Sequence, residues 1–129
     1  MSETQNTHPN ISPSLVGVAT SIDQGTARAE LTGTQEMAAD SRGLVHGGFT
    51  FGLADFAAMC AVNDPNVVLG AATCKFLAPV QVGQRMVARA SVDADSGKKR
   101  KVLCEVTVDG QPVFEGEFVC FVLDRHVLD

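Results

Sequence analysis

His46-Gly47-Gly48-Phe49-Thr50-Phe51-Gly52-Leu53-Ala54-Asp55 is the stretch on which the reading of this chain turns. Its two glycines open an expected helix, and one carboxylate, Asp55, stands in an apolar run that carries no other charge from Phe49 to Val62. Ala54, Ala57, Ala58 and Ala61 keep that helix slim enough to be enclosed on all sides. A helix that is apolar all round is normally buried. An isolated carboxylate there loses its hydration, which is costly unless something pairs with it or uses it. Asp55 is therefore the first candidate for chemistry.

Outward from the helix, the chain reads as strands on both sides. The helix is expected to stop near Asn63-Asp64-Pro65, where proline cannot continue it. Before it, Val16 to Ile22 and Thr26 to Leu31 alternate as two strands around a turn at Asp23 to Gly25, and Thr32 to Val45 has no clear period. After it come an apolar strand from Val67 to Leu77, a turn from Pro79 to Gly83, and alternating strands at Arg85 to Asp93 and Lys101 to Val108. Asp109-Gly110 is a strong hairpin signal before a last strand at Val113 to Leu123. This outline is two strands, one buried helix and a four-stranded meander. It predicts an α+β fold, with one long central helix wrapped by a curved, mostly antiparallel sheet. Residues 1–13, polar and with two prolines, are expected to form a flexible arm, and residues 14–129 a single domain.

Composition excludes several classes of function. With 129 residues, 45% of them hydrophobic, the chain has enough apolar content for a real core. Its formal charge of −5 argues against nucleic acid or an anionic membrane as partner, since both require a basic surface. No apolar run reaches transmembrane length, and the first dozen residues lack the regions of a signal peptide, so a cytoplasmic location is expected. Cys60, Cys74, Cys104 and Cys120 make no ligand spacing, so they read as reduced thiols and no metal site is expected. The basic run Lys98-Lys99-Arg100-Lys101 beside Ser96-Gly97 reads as a solvated hairpin turn.

The element order and the motif together resemble the hotdog fold, and within it the 4-hydroxybenzoyl-CoA thioesterase superfamily, closest to its phenylacetate-pathway (PaaI-like) acyl-CoA thioesterases. The residues that carry the resemblance are His46, Gly47 and Gly48, then Leu53, Ala54 and Asp55, with Asn63 near the helix end and Pro79 and Gly83 in the turn after the next strand. The likeness extends over about residues 14–123. It implies a substrate that is a coenzyme A thioester, no cofactor, and a homodimer, with a dimer of dimers as an extension. It also implies a site shared across the dimer: Asp55 as base or nucleophile from one subunit, and the Gly47 amide as oxyanion donor from the other.

The chemistry agrees with those roles. Thioester hydrolysis needs an activated water or a carboxylate nucleophile, and donors aimed at the developing oxyanion. The first turn of a helix has unpaired N–H groups and the positive end of the dipole. Glycine at 47 and 48 lets a carbonyl approach that backbone. His46 either bonds the substrate carbonyl or steadies the loop. Phe49 and Met59 are candidates to line an acyl pocket, and Asn63 either contacts substrate or ends the helix. The chain also departs from the family pattern. Many active relatives have Asn or Gln six residues before the histidine, where this chain has Asp40. A hydroxyl that some relatives carry early in the next strand aligns with Leu69, and Thr73 is the nearest hydroxyl to it. These departures point to a second reading, a non-catalytic acyl-CoA binding or sensing protein. Lys75, Arg85 and Arg89 are eligible for phosphate contact. A hydratase is disfavoured, because none of the three histidines has an aspartate five residues before it.

Overall fold

The structure, a computed structural model, describes residues 3–129; the first two residues of the expected arm lie outside the described residues. Its elements run β1 (Val18–Asp23), β2 (Thr26–Thr32), a short 3-10 turn (Gln35–Met37), α1 (Gly47–Val62), β3 (Val67–Phe76), β4 (Arg85–Ser96), β5 (Lys99–Val108) and β6 (Gln111–Val122). All six strands join one antiparallel sheet that curves around α1, which is the hotdog arrangement.

The order across the sheet is β1-β2-β4-β5-β6-β3. This corrects the expected four-stranded meander. β4, β5 and β6 do follow one another through hairpins, but β3 lies at the far edge and pairs only with β6. Alternation in a sequence reports which face of a strand is buried, not which strand lies beside it. β4 takes the place next to β2 because its buried residues Met86, Ala88 and Ala90 pack on the helix between the neighbouring strands. Two strands also run longer than their alternation indicated. A bulge between Val92 and Ala94 breaks the period of β4, so pairing continues to Ser96 against Lys99.

The helix has no polar stripe. Leu53, Ala54, Ala57, Ala58 and Cys60 are fully buried, and Phe56, Met59 and Ala61 almost so. Small residues on the facing strands (Ala27 and Ala29 on β2, Ala88 and Ala90 on β4) let the helix approach the sheet, while Phe114 and Phe118 on β6 fill the opposite side. Gly17 marks how close the chain runs to the helix. It has a φ of +134°, and a Cβ there would stand 2.8 Å from Leu53 Cδ1 and 2.9 Å from the Glu30 carbonyl oxygen. The Asp109-Gly110 hairpin has positive φ at both residues, as a type I′ turn requires.

The segment read as a loose arm makes specific contacts. Asn63, the left-handed residue that ends α1 (φ 55°), accepts the Asn6 amide through Oδ1 at 2.8 Å and donates from Nδ2 to the Thr4 carbonyl at 2.9 Å. The Glu3 amide donates to the Ile22 carbonyl, Thr7 is buried, and the His8 ring lies 6.2 Å from the Phe56 ring. The basic run is at the β4–β5 turn, as expected, and is ion-paired: Lys98 to Asp124, Arg100 to Asp95, and Lys101 to Asp93 and Glu117.

Asn63→Ala is expected to lose both arm bonds and the left-handed preference of asparagine, costing about 1–2 kcal/mol. Denaturant unfolding will measure the loss, and faster hydrogen exchange at the Asn6 amide will locate it in the arm.

Candidate active site

The site begins in the loop before the helix. Asp40 Oδ1 accepts the backbone amides of Arg42 at 2.9 Å and Leu44 at 3.2 Å, an aspartate-closed turn that reverses the chain. The His46 amide donates to the Met37 carbonyl and the Val45 amide to the Val80 carbonyl, which fixes where α1 starts. His46 is the N-cap residue, with extended backbone and no side-chain cap. The amides of Gly47 and Gly48 consequently find no acceptor among the described residues, and they open the first turn of α1. The imidazole of His46 leans over that turn. A Cβ on Gly48 would lie 3.1 Å from its Cδ2, and its ring meets Phe49 edge-on at 6.3 Å. On the other side, a Cβ on Gly47 would stand 3.1 Å from the ring of Phe76.

Asp55 sits two turns further along. Its Oδ1 is buried and has no hydrogen-bond partner among the described residues. Burial pushes its carboxyl up from 3.8 to about 6, so it is ionised at neutral pH but poised near it. Burial pushes the thiols of Cys104 on β5 and Cys120 on β6 up to about 12, with the charge of Glu105 and then that of Asp55 adding at Cys104, and that of Asp55 adding at Cys120. Burial alone does the same for Cys60. All four cysteines are free thiols, and these three are far too weakly acidic to act as nucleophiles at neutral pH.

Several candidates are placed elsewhere. Met59 is 1% exposed and belongs to the core, not to an open pocket. The side chain of Asn63 is committed to the arm, and that of Asp40 to its own loop. Thr73 is exposed opposite Glu117, on the sheet face turned away from the helix, because its neighbour Cys74 points inward against Gly116. Phe49 remains beside the first turn, half-buried. Sequence reasoning missed Phe76, whose ring is 57% exposed, packs on Phe114 at 5.2 Å and borders Gly47. Its only signal was a place at the end of an apolar strand. Among the described residues no cluster could hold a metal ion, and no helix is long and apolar enough to cross a membrane.

A helix start with free amides, followed two turns later by an enclosed carboxylate inside a wrapped sheet, defines a hotdog domain of the thioesterase type. The chain belongs to the thioesterase superfamily, whose sequence profile matches residues 42–115. It is similar to the uncharacterized protein PH1136 from Pyrococcus horikoshii, at 50% identity and a TM-score of 0.99, covering 100% of this chain and 99% of that one. It also resembles Cj0977, a sigma28-regulated virulence protein from Campylobacter jejuni (31%, TM-score 0.91, 94% and 86% covered). The PaaI protein from the phenylacetic acid degradation operon of E. coli is similar at 27% identity (TM-score 0.74, 80% of each chain). In sequence, 119 residues (92% of this chain) are 48% identical to a methylthioribose-1-phosphate isomerase of Aquifex aeolicus, and 95 residues (74%) are 30% identical to the transcription factor FapR of Caldanaerobacter subterraneus. The chain spans only 26% and 48% of those two relatives.

The raised Asp55 carboxyl has a consequence for stability. Between pH 3.8 and about 6 the folded chain holds a proton that the unfolded chain has released, so stability falls as pH rises through that window and stays lowered above it. Asp55→Asn is expected to melt higher than the parent at about pH 8, with the difference closing by about pH 3, as thermal unfolding followed by circular dichroism will read.

Proposed function

We propose that this chain is an acyl-CoA thioesterase whose sites are each shared between two copies of it. The observation that carries this reading is the half-buried Asp55 carboxylate, whose Oδ1 is enclosed without a partner among the described residues and whose pKa burial raises to about 6, on the same helix as two unclaimed amides. An ionised carboxylate of that kind takes a proton from water as the water attacks a thioester carbonyl, or attacks the carbonyl itself. The Gly47 N–H, at the positive end of the helix, receives the negative charge that develops on the carbonyl oxygen. Coenzyme A then leaves as the thiol, and the scheme calls for neither metal nor resident cofactor.

Two copies are needed for a physical reason. Gly47 and Asp55 are eight residues apart on one helix, about 12 Å along its axis, so they cannot both reach one carbonyl. The free edge of β3 supports a second copy there. Gly70, Ala71, Ala72 and Thr73 are exposed on it, and no charge interrupts it before Lys75. An uncharged open edge of this kind is a template for pairing. Exposed Leu44, Phe76 and Leu77 extend the apolar surface toward the helix start, beside the ring of Phe49.

A second reading is binding of acyl-CoA without turnover, favoured by the similarity to a transcription factor and by Asp40 and Leu69 at positions where active relatives carry polar groups. Release of free thiol from a panel of acyl-CoAs separates the two. In the first reading Asp55→Asn lowers kcat at least about 100-fold, and kcat/KM of the parent falls on the acid side of pH 6. Tight binding with no thiol released by the parent leaves the second.

Sharing of the site has its own test. Proline is tolerated at the first helical position, so Gly47→Pro removes the amide donor with little disturbance of the helix, and it is expected to be as inactive as Asp55→Asn. Co-expressing the two inactive chains should restore about a quarter of the parent activity, since half the dimers are mixed and each of those has one intact site. No recovery in isolated mixed dimers excludes a shared site.

A further inference from the structure

Three glycines lie in α1, and two of them are accounted for within the chain. A Cβ on Gly47 would press on the ring of Phe76, and one on Gly48 would stand 3.1 Å from the His46 imidazole. Gly52 has no such reason. A Cβ built there meets nothing within 4 Å, and the residue has ordinary helical backbone, so neither space nor conformation asks for glycine. Glycine in the middle of a helix is unfavourable, because it surrenders the most backbone entropy and packs no side chain. The open space over Gly52 points to an occupant from outside the chain.

Its place in the helix identifies that occupant. Gly52 lies on the partly open strip of α1, one turn after Gly48 and three residues before Asp55. Residues three and four apart are neighbours on a helix surface, so the bare backbone of Gly52 adjoins the Asp55 carboxylate, about 4.5 Å further along the axis. Rings stand on either side. Phe49, half-buried, is three residues back, and Phe51 is packed toward the sheet on Phe118 at 5.6 Å and Phe114 at 6.3 Å. From Phe49 to Asp55 the only charge is the aspartate's own. Toward the other end of the helix the surface beside Asp55 is closed. Met59, one turn on, is 1% exposed, and His8 of the arm stands against Phe56 at 6.2 Å. A group held at Asp55 therefore finds its open course toward the helix start, across Gly52.

We infer that Gly52 is a specificity-determining residue: the acyl chain of the thioester lies across its bare backbone, and the missing side chain sets how long a chain the site accepts. The inference rests on the proposed acyl-CoA site at Asp55. An uncharged strip between two aromatic rings suits an apolar, straight acyl chain, whereas the phosphates of coenzyme A call for cations that this strip lacks. A side chain at 52 takes the space of the terminal carbons, so it penalises long acyl groups more than short ones. The rival occupant is the helix of a second copy, and a side chain pressed against that helix penalises every substrate alike.

The test is a ratio, kcat/KM for the longest straight-chain acyl-CoA the parent accepts divided by that for acetyl-CoA. It is measured in the parent, Gly52→Ala and Gly52→Leu. Alanine and leucine are better helix formers than glycine, and circular dichroism and light scattering check the fold and the mass of each variant. The ratio is expected to fall about threefold in Gly52→Ala and at least about 30-fold in Gly52→Leu, and it cancels any loss common to both substrates. Should Gly52→Leu fail to fold, Gly52→Ala alone decides. If the parent releases no thiol, the same ratio is read from the Kd values of the two acyl-CoAs by calorimetry, so loss of the hydrolase reading does not hide the answer. A ratio unchanged in the folded variants assigns the space to the second copy and overturns the inference, as does a parent that accepts no acyl group longer than acetyl. A parent that neither hydrolyses nor binds any acyl-CoA overturns the proposed function and the inference together.

Discussion

Everything in this molecule follows from having to enclose an apolar helix. α1 buries Thr50, Leu53, Ala54 and every residue from Phe56 to Ala61, with a stripe through Gly48, Phe51, Gly52, Asp55 and Val62 left partly open, and the sheet curls because no flat surface covers so much of a cylinder. Alanines on both the helix and the facing strands set the distance between them, and the phenylalanines of β6 take up the remaining volume. A carboxylate in such a helix cannot choose its surroundings. Asp55 is carried into the enclosure by the residues around it, and the raised carboxyl is the direct cost of that placement.

The same constraint explains why the reactive groups are few. The thiols of Cys60, Cys104 and Cys120 share the enclosure and are pushed so far up that they remain neutral. Neighbouring polar side chains are committed: the Thr50 hydroxyl to the sulfur of Met86, the Asn63 amide to the arm, the Asp40 carboxylate to its own turn. Among the described residues, Asp55 Oδ1 and the first-turn amides are left without partners. They sit at opposite ends of a distance that one chain cannot close, which makes assembly part of the proposed chemistry and not an addition to it.

The proposed pairing of two copies has a surface to hand. The open edge of β3 is uncharged before Lys75 and continuous with the exposed apolar side chains Leu44, Phe76 and Leu77 beside the helix start, and an edge of that kind is a template for pairing.

The sequence by itself determined the helix, the strand segments and the residue that matters most. Apolar periodicity, the glycines at 47 and 48, the lone charge at 55, the proline at 65 and the Asp109-Gly110 turn are all local signals, and each was legible because a residue's own chemistry carries it. Only the tertiary structure decided which strands are neighbours and where each side chain's free valence goes. β3 at the far edge, Thr73 on the outer face, Met59 in the core and Asn63 holding the arm depend on partners distant in sequence, as does the press of Phe76 against Gly47. A period of two or 3.6 residues records only whether a position faces inward or outward. The neighbour it meets there is set by how the chain closes on itself.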